Sequence, residues 1–209
     1  MKIKLISLIA VCAVMCSFAG CSSNNKKDDA NETYNFEEAD QNYGDVVHDD
    51  DESFSLPMEY DSRFITNDIA SSVADYFYSV QTKNLELYKT VTIEEYQSYL
   101  INDVYSSENY DEQSFLDALY NGIKNQSGDN FNIKLISITD FDNDEDTSGA
   151  KDIIQLLSDL TNEDYSKKVT ESAKLTLAFT VSAGGEEYEK TNQNIFILKI
   201  DDKYKIVTA

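Results

Sequence analysis

The chain has 209 residues, with 17 basic against 39 acidic side chains and a formal net charge of −22. Such a surplus repels phosphates, which argues against nucleic acid as a partner and against direct docking on anionic lipid. Its one histidine and three cysteines all lie at or before His48, so later residues cannot supply a Ser-His-Asp, Cys-His or His-containing zinc centre.

Lys2 and Lys4 precede a short apolar run over 5–15, and small residues lead into Cys21. That is the charge and length pattern of a secretory leader. The run falls short of the roughly 20 apolar residues that a spanning helix needs. Phe18-Ala19-Gly20-Cys21 resembles the lipobox of bacterial lipoproteins, with Phe18 where that family usually carries leucine. The resemblance implies removal of residues 1–20 and acyl lipid on the Cys21 thiol. It also implies anchoring at the outer face of a bacterial membrane, which makes the membrane a partner through the lipid. Lipidation also accounts for the single cysteine left after cleavage, which has no internal disulfide partner in an oxidising compartment. More than one acyl chain is needed for a stable hold, since a single chain binds only marginally.

Over residues 21–59 acids dominate, and the few apolar residues follow no helical or strand period. High charge with low hydrophobicity cannot offset the entropy of ordering, so this stretch is expected to be a disordered tether. As a flexible coil it spans roughly 30 Å. His48 stands beside Asp49, Asp50, Asp51 and Glu52; a solvated acidic run explains it better than a metal site, because nothing there preorganises ligands.

Residues 60–209 suit one domain of about 150 residues. Ile65, Ile69, Val73, Phe77 and Val80 recur at helical spacing within 64–83, which predicts a helix with one buried face. Thr92-Ile93-Glu94-Glu95 has the form of a capping box and predicts a second helix carrying Tyr96, Tyr99, Leu100 and Val104. A third starts near Asp111, buries Phe115, Leu116, Leu119 and Ile123, and stops by Gly128. Seven tyrosines between Tyr76 and Tyr110 are expected mainly in the core and at its rim, with a ligand pocket as the alternative.

Strand patterns then take over. Phe131, Ile133 and Leu135 alternate before Ile136 and Ile138 switch parity, which predicts a bulge or a strand covered on both faces. A short helix is expected over 152–160. Ala173, Leu175, Leu177, Phe179 and Val181 define a half-buried strand, Gly184-Gly185 a hairpin turn, and Asp201-Asp202 a second turn into Tyr204-Lys205-Ile206-Val207. Helices first and strands after indicate an α+β fold: N-terminal helices packed on one face of a curved antiparallel meander.

The run from Phe196 to Ile206, an apolar strand, an acidic turn and then Lys-Tyr-Lys-Ile, comes after those helices. In that order it resembles small bacterial lipoproteins of the nuclear transport factor 2-like superfamily, with Asp202 where glycine is usual. The resemblance covers residues 65–209 and implies a cone-shaped domain whose members include isomerases, dehydratases and binding modules, so it assigns no activity.

Asp140, Asp142, Asp144 and Asp146 form one acidic constellation. Asp142, Asp144 and Asp146 match the first, third and fifth positions of a calcium loop, but Thr147 replaces the turn glycine and Ile153 the bidentate glutamate. Weak calcium binding at those three aspartates is the most that such a pattern supports, and no cofactor besides the lipid is expected. The leading expectation is therefore an extracytoplasmic lipoprotein that binds a small ligand or a protein partner. One alternative is an isomerase or lyase built on an aspartate base and a tyrosine donor. Another is a structural envelope module without a pocket.

Overall fold

The computed structural model describes residues 46–49, 54–144 and 148–208. Among these residues six strands lie side by side in sequence order: β1 (Val46–Asp49), β2 (Met58–Asp61), β3 (Asn132–Asp142), β4 (Val169–Ala183), β5 (Glu186–Ile200) and β6 (Lys203–Val207). Among the described residues five α-helices accompany them: α1 (Asn67–Thr82), α2 (Leu85–Val91), α3 (Glu94–Tyr99), α4 (Glu112–Ser127) and α5 (Ala150–Thr161). The fold is α+β, and β3 to β6 form the expected antiparallel meander.

The folded part begins before residue 60. Leu56 is 5 % exposed and Met58 is fully buried. β2 pairs in parallel with β3 through Met58↔Ile136 and Glu59↔Ser137, and β1 runs antiparallel to β2, with His48 opposite Glu59. The tether expected over 21–59 is thus shortened at its C-terminal end. The acidic composition hides two short strands, of which β2 has a partner, β3, beyond all the early helices.

α1 forms where the spacing predicts. Thr66 caps it, accepting from the Ile69 N–H, and Lys83 ends it in the left-handed region at φ 56°. Its buried face (Ile69, Val73, Phe77, Val80) packs on one face of the sheet, in the larger core. There Phe77 meets Phe179 edge-on with ring centroids 4.8 Å apart. The bulge in β3 is present, as a register shift between Ile133 and Leu135.

Two local expectations are corrected. Thr92 does not cap α3: its hydroxyl donates to the Tyr88 carbonyl at 2.8 Å, the i−4 back-bond that competes with capping. The reciprocal box instead opens α4, where Asp111 and Ser114 each bond the other's backbone N–H. Beyond α3 the chain widens into a π turn, Leu100–Val104, closed by Tyr105 N–H donating to the Leu100 carbonyl at 2.8 Å.

Helices also cover both faces of the sheet rather than one. Ile195, Ile197 and Ile206 join α1 in the larger core. Leu198 and Val207 point the other way, into a second core with Tyr96, Leu100, Phe115, Ile153 and Leu157. The second half of β5, from Ile195 to Leu198, is therefore apolar on both sides, as a fully covered stretch of strand must be.

Candidate functional site

Two recesses bring polar and apolar groups together. The first, about 230 Å³, opens beside α1 between Ile69, Phe141, Glu171, Ala173, Ile197 and Tyr204. β4 and β5 set Glu171 beside Lys199 in register, and β6 brings Tyr204 opposite Lys199. The Tyr204 hydroxyl donates to Glu171 Oε2 at 2.5 Å, and Lys199 Nζ donates to Oε1 at 2.7 Å. The ammonium first, and the phenol second, hold Glu171 below the usual carboxylate range. Burial first, and the carboxylate second, raise Tyr204.

This is the nearest approach to the carboxylate and tyrosine pair that an isomerase needs, but its electrostatics run the wrong way. A general base works best with a pKa near the operating pH, reached by desolvation. The Glu171 side chain is 53 % exposed and already accepts from two donors. The buried polar side chains among the described residues are Ser79, Thr92, Ser127 and Ser148, with no carboxylate among them.

The second recess, about 140 Å³, lies between α2, α3, the π turn and α4. Asn84 caps α2 by accepting from the Leu87 N–H at 3.1 Å, which turns Leu85 and Tyr88 toward the later helices. Tyr88 donates to Gln97 Oε1 at 2.7 Å and so ties α2 to α3. Leu85, Ile101 and Phe115 provide apolar walls, Ile101 coming from the widened π turn. Such turns recur at functional sites. Lys89 on α2 pairs with Glu112 on α4 at 2.5 Å, at the solvent-facing rim.

Under this recess lies a tyrosine network. Tyr76 and Tyr88 pack with ring centroids 5.7 Å apart and planes tilted by 37°, and Tyr96 donates to the Thr208 carbonyl at 2.8 Å. Tyr76, Tyr88 and Tyr96 are buried, while Tyr78, Tyr99, Tyr105 and Tyr110 are half-buried. The tyrosines thus divide between core and rim, and Tyr88 also borders the recess.

The described members of the aspartate constellation are Asp140, Asp142 and Asp144. Asp142 ends β3 and pairs with Lys174 of β4 at 3.8 Å. The Asp144 N–H donates to Asp142 Oδ1 at 3.1 Å, an Asx-type turn. Asp140 lies across from Thr176. Asp146 and Cys21 lie outside the described residues. Among the described residues no three His, Cys, Asp or Glu side chains are grouped to hold a metal, and no helix is long and apolar enough to cross a membrane.

Glu171, Lys199 and Tyr204 escape a reading of the sequence because they come from three strands. The one available signal is the alternation of β4, which sets Glu171 on the same side as Ala173 and Leu175 at the strand's wet end. The recess in the helices draws single residues from four elements, and no linear spacing marks it. Comparison with known proteins adds no relative: no family model, no curated protein and no solved structure matches this chain.

Proposed function

We propose that this chain is a bacterial lipoprotein, anchored through lipid on Cys21 to the outer face of a membrane, whose α+β domain acts by binding. The observation that supports binding over turnover is the filled sheet face under α1. Leu175, Leu177 and Ile197 are packed under α1 with at most 1 % of their surface exposed. Pockets for drug-sized ligands commonly measure about 300–1,000 Å³. The recesses here, about 230 Å³ and about 140 Å³, suit a small ligand or one anchoring side chain of a partner. The order of elements, helices and then a meander, supports placing the domain with the nuclear transport factor 2-like superfamily.

A second reading, an isomerase or lyase, draws on the Tyr204 and Glu171 contact at 2.5 Å. The lowered proton affinity of Glu171 makes it the weaker of the two.

The test has two arms. Cells expressing the full chain are fed a palmitate analogue. Label on the wild type, and neither label nor membrane retention on Cys21→Ser, is the expected result; an unlabelled wild-type chain rejects the anchor. The purified chain is then offered carbonyl and ketosteroid substrates. Turnover that Glu171→Gln abolishes would replace binding with catalysis.

A further inference from the structure

The recess between the helices deepens this reading, and its assignment rests on the domain being a binding module. Its volume of about 140 Å³ is close to the cavity of about 150 Å³ that accommodates benzene in an engineered protein core. Leu85, Ile101 and Phe115 offer apolar contact, and Thr92 and Tyr88 are spent on internal hydrogen bonds. Gln97 is different. Its Oε1 is taken by the Tyr88 hydroxyl, and its Nε2 has no hydrogen bond among the described residues.

Charge at the rim is unbalanced. Two carboxylates, Glu94 and Glu112, and one ammonium, that of Lys89, line the recess. Lys89 bonds Glu112, so the lining carries one carboxylate more than it has ammonium groups. A cation entering here gains from that surplus, and an anion of the same size is repelled.

We propose that this recess binds a small organic cation. Its apolar body, one ring or a short alkyl chain, contacts Leu85, Ile101 and Phe115, and its ammonium lies at the Glu94 side of the rim. A polar atom on that body meets the Gln97 amide. The cation is either a free amine or a lysine side chain of a protein, since both present an ammonium on an apolar stem.

The test is a titration of the isotope-labelled full chain, monitored by NMR at the Gln97 side-chain amide and the Leu85 and Ile101 methyl groups. Benzylamine is expected to give a saturable shift at all three. Benzyl alcohol should bind several-fold more weakly, and phenylacetate should leave the signals unmoved. Glu94→Gln, an exposed change that spares the fold, should weaken benzylamine about two- to fivefold, the scale of one rim charge, and leave benzyl alcohol unchanged. Tighter binding of benzylamine than of Nα-acetyl-lysine methylamide assigns a free amine, and the reverse assigns a protein side chain. Absence of a saturable benzylamine shift, or equal binding of phenylacetate, overturns the proposal. Neither outcome touches lipid attachment or the turnover assay, so the two failures are distinct.

Discussion

Gln81 Oε1 accepts the backbone N–H of Ile133 at 2.7 Å, and the same side chain donates from Nε2 to Asn132 Oδ1 at 3.0 Å. The contact falls where the register of β3 slips after Ile133. A helix side chain thus satisfies a strand N–H where the ladder is interrupted, as buried backbone groups require. Gln81→Met keeps the volume but leaves that N–H unpaired. The expected loss is about 1–3 kcal/mol, read from denaturant unfolding, with Asn132→Ala costing less because it removes only a side-chain bond.

The buried tyrosines make the fold sensitive to alkali. Burial pushes Tyr76 up to about 12 and raises Tyr88 and Tyr96 as well. In the unfolded chain tyrosine ionises near pH 10. The raised groups therefore stabilise the fold fully below about pH 10, and that contribution is lost as pH climbs through their folded values. Tyrosinate absorbance and circular dichroism should be recorded together. These three hydroxyls are expected to ionise only as the dichroism collapses; ionisation of all 14 tyrosines with the fold intact contradicts the network.

Glu171 gives the opposite sign at the acid end. Its folded pKa is lowered, by Lys199 first and Tyr204 second, so its contribution is present above the ordinary glutamate value of about 4.3. It is lost as pH falls through the lowered value. With the side chain 53 % exposed, the effect is small, under about 1 kcal/mol. Glu171→Gln should lower the neutral plateau of a stability profile by that amount and leave the acid end unchanged, so the acid limb flattens.

The β5 to β6 turn carries strain that one substitution relieves. Asp201 and Asp202 both have positive φ, at 50° and 59°, in a two-residue connection between Ile200 and Lys203. Asp-Gly is a favoured pair for such a turn, because glycine takes the left-handed region freely. Asp202→Gly should stabilise the domain by about 1 kcal/mol and raise the melting temperature by several degrees. An unchanged or lower melting temperature counts against the turn geometry.

How much of the fold is legible in the sequence depends on how far apart the interacting residues lie. Ile69, Val73, Phe77 and Val80 share one face within a single helix, and Leu175, Leu177 and Phe179 share one side of a single strand, so period alone reveals them. Leu85–Val91 escapes because seven residues hold too few apolar positions to show a period. Met58 is hidden because its partner, Ile136, is far along the chain and its neighbours are acids. Ile195-Phe196-Ile197-Leu198 carries a signal of its own: an unbroken apolar run is the mark of cover on both faces. The recesses are illegible in principle, since Glu171 and Tyr204, or Lys89 and Glu112, meet only through tertiary packing.

The seam between β2 and β3 has a mechanical consequence. It is held by two residue pairs in parallel register, whereas β4 and β5 are zipped along almost their whole length. A chain fastened at its N-terminal side and pulled at its domain carries the load into β1 and β2 first. Those strands can peel away with Leu56 and Met58 while the meander stays intact. The tension that frees them exposes the Ile136 edge of β3, so the same strand that closes the sheet at rest is the one that yields under force.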